Sequence, residues 1–291
     1  IDLRGNSGGS LFEANKLTGL FVSSGATLQV KDGNGTIKPW GDARAKQIWK
    51  KPMAVIVDRY SASASEIFAG AIQDYQRGII IGHKTFGKGT VQKLDNLSSG
   101  QIKITESKFY RVTGSGMQNK GIHPDITLPS TWDIEEIGES SFNTALPWDE
   151  IKPINFQKFS IESSLISQLN NKHLLRVNQS PNLKYILDIR KRYDAQKNKE
   201  VISLNLENRE VEKEERQSWA LDIENKRRAS LNLEVFNSYK ALKDFNDAKE
   251  SENNEKEFDI DIENDYLLNE GVQILSDFTI FNQNIYLSKA A

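Results

Sequence analysis

Apolar positions in the first half of the chain follow two rhythms. Leu11, Ala14, Leu17, Leu20 and Phe21 recur every three or four residues with Gly25 beyond them, so residues 11–22 read as an amphipathic helix. Ala54-Val55-Ile56-Val57 and Gly78-Ile79-Ile80-Ile81-Gly82 are instead short unbroken apolar runs, the mark of strands buried on both faces. Residues 65–75 between them carry a helical pattern, which makes a compact βαβ unit. At the start, Ile1-Asp2-Leu3-Arg4 alternates apolar with charged and runs straight into Gly5-Asn6-Ser7-Gly8-Gly9, as an internal strand runs into its turn. With no initiator Met and no polar lead-in, the chain is expected to begin inside a domain.

After Pro129 the texture changes. A connector marked by Trp and Pro runs to residue 158, followed by long polar sequence with helical patterns at 160–177, 183–197 and 207–231. The last of these is dense in both signs of charge and poor in apolar positions, as a solvated helix is. Residues 244–263 are acidic and Asn-rich and read as a mobile loop. The expected organisation is an α/β core at 1–130, a connector at 131–158 and a mainly α-helical domain at 159–291. No internal repeat is visible.

Composition narrows the function classes. The 38 basic and 40 acidic residues leave a net charge of -2, so no overall field favours nucleic acid or an anionic membrane. No cysteine is present, which excludes disulfides, thiolate metal sites and cysteine nucleophiles. No run approaches the roughly 20 apolar residues that span a bilayer.

The densest chemistry lies in Asp58-Arg59-Tyr60-Ser61-Ala62-Ser63-Ala64-Ser65-Glu66, between a strand and the helix that follows. A serine at such a junction presents its hydroxyl beside unpaired N–H groups and the positive end of a helix, where acyl-transfer nucleophiles are found. Ser63 with Glu66 three residues on is equally a capping box, which stabilises any helix. A serine hydroxyl needs a base. His83, His123 and His173 come with no acidic partner at a recognisable spacing. Lys88 sits between Gly87 and Gly89, where the backbone bends tightly and can approach another segment. A lysine acting as base must be neutral, and an ordinary one, with pKa about 10.4, requires apolar surroundings for that. Phe86 and Val91 are such neighbours, although an exposed loop lysine is the plain alternative. A rival also exists: residues 82–88 match the first seven positions of the phosphate-binding loop G-x-x-x-x-G-K-[ST], but Gly89 stands where the Mg²⁺-holding hydroxyl belongs.

Taken together, Asp2-Leu3-Arg4-Gly5-Asn6-Ser7-Gly8-Gly9, Ser61-Ala62-Ser63-Ala64-Ser65-Glu66, Thr85-Phe86-Gly87-Lys88-Gly89-Thr90-Val91-Gln92 and Gly121-Ile122-His123-Pro124-Asp125 resemble, in order, the motifs of the C-terminal processing, or tail-specific, serine peptidases. The resemblance implies a fold of spiral ββα units, a nucleophile at Ser63, a general base at Lys88, and Gln92 holding the lysine. It places the oxyanion hole at the N–H groups of Ala64 and Gly9, with Gly8 as the neighbour to be confused with it, and an accessory acid at Asp74. No metal or cofactor is implied. Substrates would be proteins with exposed, often apolar C-terminal tails. The tail-binding PDZ-type module that normally precedes these motifs is not in this chain, which by itself is expected to be an inactive piece. The charged helical half resembles the extension of the longer members, which implies the periplasm or envelope of a Gram-negative bacterium and a lipoprotein adaptor as partner. A noncatalytic scaffold or binding domain of the same fold is the alternative.

Overall fold

A computed structural model of the chain describes residues 1–42, 46–133, 135–197, 199, 201–255 and 262–290. The chain divides into two compact units: Ile1–Leu128 with Asp133–Lys172 and Gly271–Ala291, and Pro129–Trp132 with His173–Glu270.

The first unit holds the α/β core. Its elements run α1 (Leu11–Gly19), β1 (Ala26–Asp32), β2 (Ile37–Gly41), β3 (Ala54–Val57), α2 (Ala64–Asp74), β4 (Ile79–Gly82), β5 (Thr90–Asn96), β6 (Gln101–Tyr110) and β7 (Ile126–Thr127). A parallel sheet is ordered β3-β4-β7, with Ala54 opposite Ile79 and Val57 opposite Gly82. Every residue of β3 and β4 is buried, as the unbroken apolar runs require of a sheet covered on both faces. Asp2 bridges Ile56 in parallel, and Leu3 N–H donates to the Ile56 carbonyl at 2.9 Å, so the first residues do lie along β3 as a strand would. The second sheet is antiparallel, ordered β2-β1-β6-β5. Helix α2 shares a core with both sheets, Ile67, Phe68 and Ile72 packing with Val55, Ile80, Leu28 and Phe109. Burying a Val, Ile or Phe of this kind stabilises by roughly 1.5–3 kcal/mol, so the junction between β3 and α2 rests on a well-buried core.

Five further helices follow: α3 (Ser163–Gln179), α4 (Pro181–Lys197), α5 (Leu206–Ser230), α6 (Tyr239–Glu255) and α7 (Tyr266–Ala290). Only Ile223 and Glu224 of α5 are buried, in keeping with a charged, solvated helix. The loop expected at 244–263 is corrected in its first part, because α6 continues to Glu255; residues 256–261 lie outside the described residues. Leu242 is buried, and Phe245, one turn on, meets Phe236 with ring centroids 5.3 Å apart. A narrow apolar edge therefore holds this part of the helix.

Candidate active site

The serine segment forms a tight turn between β3 and α2, and its polar groups are almost all engaged in holding it. The buried Asp58 carboxylate accepts from the N–H groups of Gly5, Tyr60 and Ser61 at 2.9–3.1 Å. Ser61 is fully buried and donates to the Leu3 carbonyl at 2.7 Å. Ser65 donates to the Asn6 carbonyl at 3.0 Å or to its side-chain oxygen at 2.9 Å. Of the three serines, Ser63 alone keeps partial exposure. Its backbone stands at φ 55°, ψ -114°, a conformation that costs a non-glycine residue on the order of 1–3 kcal/mol and persists only where the surroundings enforce it. Helix α2 begins at the next residue, and the Ala64 N–H has no acceptor among the described residues.

The glycine turn meets this segment directly. Ala62 N–H donates to the Asn6 carbonyl at 3.0 Å. Gly8 has φ +100°, and a Cβ there would lie 2.6 Å from the Ala62 carbonyl oxygen and 2.9 Å from Ala64 N, so only glycine fits. The Gly8 N–H is engaged by the Asn6 side-chain oxygen at 3.0 Å. Gly9 has open space around it and an N–H without an acceptor among the described residues. Gly8 makes the close approach, and Gly9 keeps the unengaged donor.

The lysine loop joins the same site through Glu66. This side chain, fully buried, receives Gly87 N–H at 2.7 Å and the Thr85 hydroxyl on Oε1, and Ser63 N–H at 2.8 Å and Lys88 N–H at 2.9 Å on Oε2. One carboxylate oxygen therefore binds the backbones of Ser63 and Lys88 together. Burial pushes the Glu66 carboxyl up to about 7, and the four hydrogen bonds, led by that from Thr85, pull against it. The sequence offered only half of this: the carboxylate returns to the Ser63 N–H as in a capping box, but it also holds a loop 22 residues away. Phe86 N–H, donating to the Ser61 carbonyl at 3.0 Å, adds a further tie. The glycines flanking Lys88 allow contact with a third segment, since a Cβ on Gly89 would lie 2.5 Å from Gln118 N and one on Gly87 3.0 Å from the Asn119 carbonyl carbon.

Lys88 is half-buried, without an acceptor or ion-pair partner among the described residues. It lines a cleft of about 600 Å³ together with Ala62, Phe86, Gln92 and Thr105. Gln92 lies on β5, and a β-bulge between Val91 and Gln92 alters the register there. Such bulges re-aim side chains beside functional sites. Ser63 is not among the residues that line this cleft; its neighbour Ala62 is.

Asp74 lies elsewhere. It closes the far end of α2, about 16 Å from Ser63 at 1.5 Å per residue, where it is buried and ion-paired with Arg111. Burial pushes its carboxyl up, and the Arg111 guanidinium opposes that. The glycine-lysine loop runs from β4 into the strand β5, whereas a phosphate loop must open a helix, and this removes the geometry of that rival. His173 does have an acidic partner, Glu270 at 2.8 Å, but the pair is buried in the helical unit. The two are 97 residues apart in sequence, so no local spacing could have revealed them.

A serine turn is thus bonded to a glycine turn and a lysine loop on an α/β core with a helical continuation. Residues 1–128 match the model of peptidase family S41, and residues 132–279 match the C-terminal domain of tail specific protease. The chain belongs to the tail-specific proteases of peptidase family S41. The "Tail-specific protease" of Haemophilus influenzae is 37% identical over 304 residues, covering 100% of this chain and 41% of that protein. The "Probable CtpA-like serine protease" of Staphylococcus epidermidis is 40% identical over 131 residues, 44% of this chain and 27% of that one. The solved photosystem II D1 C-terminal processing protease is 32% identical over 44% of this chain and 33% of its own, with a TM-score of 0.40. The chain thus spans less than half the length of each.

Proposed function

We propose that this chain carries the catalytic residues of a serine endopeptidase, with Ser63 as nucleophile and Lys88 as general base. The observation that carries the reading is the shared Glu66 oxygen, which ties the backbones of these two residues at 2.8 and 2.9 Å. Neutral Lys88 takes the Ser63 proton, Ser63 attacks the peptide carbonyl, and the oxyanion is received by the N–H groups of Ala64 and Gly9, both without acceptors among the described residues. Lys88 then protonates the leaving amine, and water releases the acyl group. Gln92, lining the same cleft, positions Lys88. The chemistry calls for no cofactor. Substrates are proteins with exposed, often apolar C-terminal tails, met in the periplasm of a Gram-negative bacterium with a lipoprotein adaptor, a reading supported by membership of the tail-specific proteases.

The test is made in the whole protein with an apolar-tailed substrate. Ser63→Ala and Lys88→Ala are each expected to lower kcat by several orders of magnitude while the fold persists, and the double variant should be little worse than either. Lys88→Arg should be equally inactive, because a guanidinium stays charged. Near-normal turnover by any of these variants overturns the assignment.

A further inference from the structure

One wall of the cleft that holds Lys88 comes from outside the motifs. Residues 138–146 include the 3-10 turn Glu139–Ser141 and lie within the match to the tail-specific C-terminal domain, beyond the S41 match that ends at residue 128. Yet they pack in the core unit, where Phe142, Ala145 and Leu146 line the cleft together with Lys88 and Phe86.

The segment is braced by the groups that brace the lysine loop. Gln118 accepts the Gly89 N–H on its side-chain oxygen at 2.9 Å and donates its amide to Glu139 Oε1 at 3.1 Å. Asn119 donates its backbone N–H to the Gly87 carbonyl at 2.8 Å and its side-chain amide to the Leu146 carbonyl at 3.0 Å. Glu139 N–H donates to the Phe86 carbonyl at 2.9 Å. The wall and Lys88 are therefore held in one register. On this frame the Phe142 ring stands 6.4 Å from that of Phe86, and Phe142 and Leu146 remain 56% and 42% exposed. Apolar side chains left open to solvent inside a cleft, on a braced backbone, are the make-up of a binding pocket and not of a surface loop.

We infer that Phe142 and Leu146 form a specificity-determining wall that receives an aliphatic side chain of the substrate beside the bond being cleaved. This rests on the peptidase reading and adds to it which residues the cleavage site selects. A wall of aromatic and aliphatic carbon gains from each methylene that it covers and gives a carboxylate no partner.

The experiment uses the whole protein and peptides with one common apolar tail, differing only in having Leu, Ala or Asp beside the cleaved bond. Wild-type protein is expected to cleave the Leu peptide best and the Asp peptide least. Phe142→Ala and Leu146→Ala should each reduce the Leu-to-Ala ratio of kcat/KM about tenfold, chiefly through KM, and Phe142→Leu should restore most of it. Neither side chain is buried in the core, so the variants should fold, and their melting checks this. A ratio that does not move, or a wild-type protein indifferent to the three residues, overturns the wall's role alone. If wild-type protein cleaves none of the peptides and a fluorophosphonate does not label Ser63, the peptidase reading fails and the inference falls with it.

Discussion

Both compact units bury glutamates, and Glu66 in the first and Glu270 in the second are satisfied in different ways. Glu66 accepts from three backbone N–H groups and one hydroxyl, with no cation in ion-pair contact among the described residues. Glu270, 5% exposed, accepts from the Arg176 guanidinium at 2.9 and 3.0 Å and pairs with His173 at 2.8 Å. Backbone donors cannot move without moving the chain, so Glu66 sets the course of the loops that carry Ser63 and Lys88. Side-chain donors adjust through their own rotamers, so Glu270 joins helices and leaves their backbones some freedom. The same residue type thus acts as a main-chain clamp in one unit and as a side-chain tie in the other.

Paired Glu66→Gln and Glu270→Gln variants should separate these roles by the widest margin. Each Glu66 oxygen receives two donors, so an amide at that position points its NH₂ at two donors in either orientation. Buried donors left without acceptors cost about 1–3 kcal/mol each. Glu66→Gln is therefore expected to lose about 2–6 kcal/mol of stability and about 100-fold in kcat/KM. Glu270→Gln should lose about 1–3 kcal/mol and keep its cleavage rate within about twofold. Urea unfolding and cleavage of a tailed peptide read both quantities, and equal rate losses in the two variants would break the comparison.

The pH dependence should be nearly as large. Folded Glu66 has its pKa raised from the ordinary carboxylate range to about 7, so the folded chain binds this proton more tightly than the unfolded chain. Its contribution to stability is then fully present below about 4.5 and is lost as pH rises through about 7, on the order of 3 kcal/mol. Asp74 and Asp125, also pushed up by burial, act with the same sign. The arrangement of four donors around Glu66 is that of the ionised group, so cleavage should rise over the range in which stability falls. Unfolding and cleavage measured from pH 5 to 8 should show opposite trends, and Glu66→Gln should lack the step near 7 in both.

Arg176→Lys should have the smallest effect. It keeps the charge facing Glu270 and loses only the planar fork, which is expected to cost about 1 kcal/mol with no change in cleavage. A loss several times larger, read by urea unfolding, would mean that the helical unit is held as rigidly as the Glu66 clamp.

Much of this was legible because it is local. The unbroken apolar runs at β3 and β4 are too short for helices and too apolar for a solvated face, and both are buried strands. The glycines around Lys88 signalled a close approach, and Gln118 and Asn119 provide it. The hairpin of β5 and β6 was not legible, because its solvated strands alternate weakly; Leu94, Ile102 and Ile104 are all exposed. Residues 139–146 read as part of a connector, since nothing in their composition says which surface they will line.

By itself the sequence determined the βαβ unit, the placing of Ser63 at a helix start and of Lys88 between glycines, and the absence of cysteine chemistry. Periodicity and residue chemistry act over a few positions, and a single chain shows them. Only the tertiary structure decided that Glu66 binds both loops, that Gly8 makes the approach while Gly9 keeps its N–H unengaged, that Asp74 pairs with Arg111, and that Phe142 faces the cleft. Each of these depends on groups brought together from distant parts of the chain, where burial and hydrogen-bond satisfaction select the partners and sequence spacing carries no record of them.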